Sequence, residues 1–153
     1  MSFNILRRIL SRVKSIFHHL IGRFKVPYVY TKVEDLEGTE PVGTRQCVAL
    51  VQHYAKVPVS SAWREGLHVV DAATLKKGTA IATFVNGRYP NRDHGNHAAF
   101  FLRYGPNGIW IMDQWKHDKK TAVSSRFIPR RGKTKSGAYV RPSDNADSFF
   151  VIE

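Results

Sequence analysis

Between His97 and Trp115 the chain reads as two apolar runs, HAAFFLRY and IWIMDQW, separated by Gly105-Pro106-Asn107-Gly108. A Gly, Pro and Asn tetrapeptide between runs rich in Phe, Ile and Trp leaves little room for anything but a β-hairpin. An antiparallel sheet is then the frame for the rest. Similar runs at Thr79–Val85, Thr121–Ile128 and Ser148–Ile152 complete five predicted strands. Ahead of them, Thr44 offers an N-cap for a helix running to about Lys56 and stopped by Pro58, with Cys47 in its first turn. A short helical turn is expected around Ser61 to Gly66, with Trp63 as a core anchor. Residues 28–43 read as an irregular approach, and Pro129–Asp147, rich in Gly, Ser, Lys and Arg, as a long exposed loop. The predicted class is α+β, one helix packed on a five-stranded antiparallel sheet.

The 153 residues suit one domain, of a size that buries roughly 70% of its unfolded surface. Cys47 is the only cysteine, so no intramolecular disulfide is available and the core must hold the fold. A formal net charge of +12 directs the surface towards anionic partners: nucleic acid, anionic lipid, or the carboxylate- and phosphate-rich bacterial envelope. No run approaches the ~20 apolar residues of a membrane span, and the N-terminus lacks the uninterrupted apolar stretch of a secretory signal. The expectation is a protein made in the cytoplasm without a cleavable signal peptide.

Residues 1–33 carry seven basic side chains and no acid, and their apolar residues from Ile5 to Phe24 recur at three- and four-residue spacing until Gly22 and Pro27 end the pattern. The spacing predicts a basic amphipathic helix over 1–26, distinct from a domain at 27–153. Its stripe fits core packing, an anionic membrane surface or a partner's groove; an organellar transit peptide has similar composition.

A cysteine nucleophile acts as its thiolate, and both a helix N-terminus and a neighbouring imidazolium lower the thiol pKa. Cys47 has the first by position. His97 can supply the second, since Gly95-Asn96-His97 closes a polar loop and opens an apolar strand. Alternation places His97, Ala99 and Phe101 on one face of their strand and Ile109, Ile111, Asp113 and Trp115 on one face of the next. Across the hairpin, 97 and 113 become near neighbours, so Asp113 is the candidate that orients the imidazole. Tyr89, Trp110 and Trp115 flank these residues and fit either a peptide groove or the core.

The segments Gln46–Val51, Gly78–Phe84, Gly95–Phe101 and Met112–Trp115 resemble the blocks of the papain-like CHAP and NlpC-like peptidoglycan amidases, and more narrowly a compact bacterial branch linked to type VI secretion amidase effectors. The resemblance covers about residues 40–128 and the last strand, and leaves out the N-terminal helix. It implies a cysteine hydrolase that cleaves amide bonds in peptidoglycan stem peptides, with Cys47 as nucleophile, His97 as general base and Asp113 as third member. Gln46 and the Cys47 backbone N–H fall where such enzymes build an oxyanion site. Relatives place Glu, Asn, Gln or His at the third position, so Gln114 is an alternative to Asp113. The resemblance further implies action in the periplasm or cell wall of a target cell, a cognate immunity protein and a secretion-apparatus partner, and no cofactor.

Two other readings compete. Asp93, His94 and His97 lie close in sequence, with His117 and Asp118 as the only later cluster, but neither set has helical H-E-x-x-H spacing. A metal enzyme is therefore disfavoured. A non-enzymatic basic module would bind nucleic acid or membrane through the N-terminal helix and the 126–141 stretch, with Arg126, Arg130, Arg131, Lys133, Lys135 and Arg141 as phosphate contacts. No groove-reading motif accompanies them, which makes nucleic acid an unlikely partner.

Overall fold

The computed structural model describes residues 26–153; the amphipathic helix expected over 1–26 lies outside the described residues but for Val26, which is exposed and non-helical. One helix, α1 (Cys47–Ala55), packs on a six-stranded antiparallel sheet. Its strands are β1 (Glu65–His68), β2 (Ala80–Thr83), β3 (Ala98–Gly105), β4 (Gly108–Asp113), β5 (Ser124–Pro129) and β6 (Phe149–Ile152), in the order β1-β6-β2-β3-β4-β5. The α+β class stands, with six strands in place of five. The additional strand is β1, which carries Glu, Gly and His in four residues and lies at the sheet edge with alternating partial exposure. Its sequence has no apolar run because only part of one face is covered.

Both faces of the inner sheet are covered, which is why β2 reads as a continuous apolar run and is buried at all four positions. Ala80, Ala82, Ala98, Phe100 and Met112 lie beneath α1 in a core that also holds Trp63, Val33 and Leu36. The opposite face buries Ile81, Ala99, Phe101, Ile109, Ile111, Ile128 and Phe149 under Val69 and Ala146. Alanines at 80, 82 and 98 leave room for the helix carrying Cys47 to sit close to the sheet. Trp63 is the core anchor expected of it, wholly buried with its indole N–H donating to the Pro58 carbonyl at 2.7 Å.

The helix begins two residues later than Thr44 would have it. Gly43 and Arg45 both have left-handed backbone, φ +58° and +65°, and turn the chain before Gln46 caps the helix in extended conformation. Thr44 Oγ instead accepts the Gln46 N–H at 3.4 Å. The helix ends as expected, at a left-handed Lys56 ahead of Pro58.

The hairpin turn falls at Gly105–Gly108, where Gly105 pairs with Gly108 and Asn107 has φ +53°. The pairing slips by one residue between Phe101 and Arg103, so Leu102 is a single-residue bulge in β3. Below the bulge Phe101 faces Ile111 and Phe100 faces Met112, a register that sets Ala99 across from Asp113 and His97 one diagonal away. Without it the turn register would place odd residues of β3 opposite even residues of β4, and His97 and Asp113 would point to opposite faces.

Candidate active site

Cys47 is the first residue of α1 and is buried; His97 immediately precedes β3; Asp113 ends β4. Helix start and sheet end thus converge on one spot. His97 is held at both backbone atoms by Thr83 of β2, whose Oγ accepts the His97 N–H at 3.0 Å and whose N–H donates to the His97 carbonyl at 3.0 Å. Its Nε2 lies 2.8 Å from Asp113 Oδ2, leaving Nδ1 for the Cys47 thiol that neighbours it. The half-buried Trp115 meets the imidazole edge-on, with ring centroids 6.3 Å apart.

Asp113 is wholly buried and has three cationic neighbours: His97, Arg126 Nε at 2.7 Å and Lys120 Nζ at 3.3 Å. The β4–β5 register explains Arg126, since Asp113 pairs with Ser124 and Ile111 with Arg126, which puts 124 and 126 on the Asp113 face. Arg126 also bonds Asp144 at 2.7 Å, and Lys120 lies 4.3 Å above the Trp115 ring. Sequence reasoning missed Lys120 and gave Arg126 a surface role. The alternation in Thr121–Ile128 shows that residues 124, 126 and 128 share a face, but only the pairing register reveals which face.

The electrostatics follow from these neighbours. Burial would raise the Asp113 carboxyl, but His97 and Arg126 outweigh it and hold the group down at about 2. Burial would lower His97; its hydrogen bond to Asp113 and the adjacent thiol reverse this and raise it to about 9. Burial would push the Cys47 thiol up, but His97 first, then Tyr89 and the Ala98 N–H, bring it below its ordinary value. At neutral pH these directions favour a thiolate beside an imidazolium.

The remaining expected residues fall elsewhere. Gln114, wholly buried, is spent on the segment leading to Cys47: its Oε1 accepts the Val42 N–H at 2.9 Å, and its Nε2 donates to the carbonyls of Val42 at 3.0 Å and Gln46 at 2.9 Å. The Gln46 side chain is exposed at the helix N-cap. Asp93, His94, His117 and Asp118 are all exposed, and among the described residues no three His, Cys, Asp or Glu side chains are grouped as metal ligands. Trp110 lies away from the site, against Phe127 and beneath Arg103.

A cleft of about 480 Å³ opens where β2 ends, between Thr83–Gly87 and the arm at 133–139. Its lining includes Arg92, Lys133 and Glu65 together with Phe84 and Phe150. Thr83, which bonds the His97 backbone, also lines it, whereas Cys47, His97 and Asp113 do not.

Comparison with known proteins gives the family and a structural neighbour. Residues 25–152 match the family described as domesticated amidase effector 2. The chain belongs to that family. It is 50% identical over 133 residues to the type VI secretion amidase effector 2 protein of Salmonella typhi, covering 84% of this chain and all of the relative. The domesticated amidase effector 2 of Ixodes scapularis is 33% identical over 116 residues, 73% of each protein. Among solved structures, type 6 secretion amidase effector 2 (Tae2) superposes with a TM-score of 0.78 at 48% identity, over 84% of this chain and 95% of that one. The family match begins at residue 25, past most of the basic N-terminal segment.

Proposed function

We propose that this chain is an antibacterial amidase that hydrolyses amide bonds in peptidoglycan stem peptides, with Cys47 as nucleophile, His97 as general acid and base, and Asp113 as the group that orients His97. The observation that carries the reading is the buried Cys47–His97–Asp113 array, with Cys47 at a helix N-terminus. The amidase effectors to which the chain is related give the substrate class.

In this mechanism the Cys47 thiolate adds to the amide carbon, the C–S bond forms, and the carbonyl electron pair moves to oxygen. The Cys47 backbone N–H, first in the helix and without an intrahelical acceptor, would serve that oxyanion, and the Gln46 side chain is a second candidate donor. Collapse breaks the C–N bond as His97 protonates the leaving amine. Water, deprotonated by His97, then hydrolyses the thioester and restores the thiolate. Arg92 and Lys133 in the cleft lining suit a substrate bearing free carboxylates.

The relatedness to type VI effectors supports synthesis in a bacterial cytoplasm, delivery into the periplasm of a target cell, and an immunity protein as partner. The nucleic-acid alternative is weakened because three of its six phosphate contacts are paired internally: Arg126 with Asp113 and Asp144, Arg130 with Asp147 at 2.6 Å and Arg141 with Asp144 at 3.7 Å. Purified peptidoglycan digested by wild type and by Cys47→Ala, and analysed by mass, tests the proposal. New free amine and carboxyl termini on stem peptides should appear with wild type only. Identical digests, or cleavage confined to glycan strands, would refute it. A chelator should leave the rate unchanged while a thiol alkylator abolishes it.

A further inference from the structure

Tyr89 is a group that neither the mechanism above nor the family resemblance uses. It is buried, its ring packed edge-on against Trp63 with centroids 4.9 Å apart, and its Oη lies 3.6 Å from Cys47 Sγ. The direction of its proton is set by a short relay. The Arg92 backbone N–H donates to Asn96 Oδ1 at 2.7 Å, which fixes the amide orientation and turns Nδ2 towards Tyr89 Oη, at 3.0 Å. With Asn96 donating to the phenol oxygen, the phenol proton is the one left for Cys47.

We propose that Tyr89 is a catalytic residue: its hydroxyl donates a hydrogen bond to the Cys47 thiolate and follows the negative charge to the substrate carbonyl oxygen during attack, with Asn96 as its positioning residue. Burial and the neighbouring thiolate raise the phenol pKa, so Tyr89 keeps its proton throughout the working pH range. A donor already aimed at Sγ needs only a small shift as the C–S bond forms and the carbonyl electron pair moves to oxygen, because the two acceptors are then joined through one carbon. No proton is transferred. The hydroxyl therefore stabilises charge without competing with His97 for the proton that the leaving amine requires.

This assignment rests on Cys47 as the nucleophile, and its test includes an arm that needs no substrate. In the full chain, the rate of Cys47 alkylation by iodoacetamide is followed against pH for wild type, Tyr89→Phe and Asn96→Ala, together with kcat and KM on purified peptidoglycan. Tyr89→Phe removes one oxygen and keeps the ring on Trp63. It should move the alkylation midpoint to higher pH and lower kcat by about 10²-fold, with KM changed less than about threefold. Asn96→Ala should shift both in the same direction by less. An unchanged midpoint and kcat in Tyr89→Phe, or in Asn96→Ala should Tyr89→Phe not fold, overturns the assignment. If wild type fails to cut peptidoglycan while Tyr89→Phe still shifts the alkylation curve, the proposed substrate falls and the role of Tyr89 stands.

Discussion

Asp113 is a single carboxylate asked to serve three cations, and the arrangement has measurable consequences. Because His97 and Arg126 hold its carboxyl down, Asp113 stays ionised far below neutrality and adds no limb to a pH profile above about pH 3. The limbs belong to the other two residues. His97, raised to about 9, must be protonated to donate to the leaving amine, so kcat should fall as pH rises through about 9. The acid limb belongs to Cys47 and should fall below the ordinary thiol range near ~8.5, because its pKa is lowered. Asp113→Asn removes the charge that raises His97 and should move the basic limb to lower pH; a pH–rate profile whose basic limb stays put would contradict this. Asp113→Ala should be more severe than Asp113→Asn, since an amide can still orient the ring, whereas Cys47→Ala and His97→Ala should each cost about 10⁴-fold or more with the fold intact. Turnover by either of the last two near wild type would remove the assignment. Cys47 was legible in the sequence because a helix start and a lone cysteine are local signals, whereas the pairing of His97 with Asp113 depends on the β3–β4 register. Lys120 and Asn96 were not, and Tyr89 could be read only as flanking the site, since their placement depends on which loop folds over which strand end.

Among the elements, the β3–β4 hairpin shows how far pattern reading reaches. The turn tetrapeptide and both strands could be read directly, but the sharing of a face by His97 and Asp113 holds only through the Leu102 bulge. Nothing about Leu102 marks it as an inserted residue; it is another apolar residue in an apolar run. The missed β1 strand and the displaced helix start have the same origin, in that edge position and left-handed turns at Gly43 and Arg45 are set by tertiary context. Gln114 ties two of these elements together, since one buried amide on the end of β4 fixes the segment that delivers Cys47. Gln114→Leu should therefore leave three backbone groups without their side-chain partner and cost about 2–4 kcal/mol in denaturant unfolding, with activity reduced through displacement of the helix start. A loss of activity at unchanged stability would instead mark Gln114 as a participant in the chemistry.

For the whole molecule, charge is divided unevenly between the segment at the N-terminus and the rest. Residues 1–33 hold seven of the 24 basic side chains and none of the 12 acids, so the remainder carries 17 against 12. The described core begins with Tyr28 and Tyr30, which pack against it and are fastened to the sheet by bonds from the Tyr30 N–H to the Gly78 carbonyl at 2.9 Å and from the Ala80 N–H to the Tyr28 carbonyl at 2.8 Å. That junction admits only glycine at 78, where φ is +85° and a Cβ would stand 2.0 Å from the Tyr30 carbonyl oxygen. Val26, by contrast, is 87% exposed. The site and the cleft draw on residues from Val42 onward. We therefore expect residues 1–26 to be separable from catalysis and to serve delivery, through anionic membrane surface or a secretion partner. A chain starting at Val26 keeps the Tyr28 and Tyr30 anchors, so it should remain soluble and hydrolyse isolated peptidoglycan at the full-length rate. It should also lose binding to anionic lipid vesicles at low salt. In the full-length chain that binding should weaken as salt is added, because attraction between exposed charges fades beyond a Debye length of ~8 Å at physiological ionic strength. Precipitation of the truncated chain, or a melting temperature far below that of the full chain, would instead show that the apolar stripe of residues 5–24 belongs to the core.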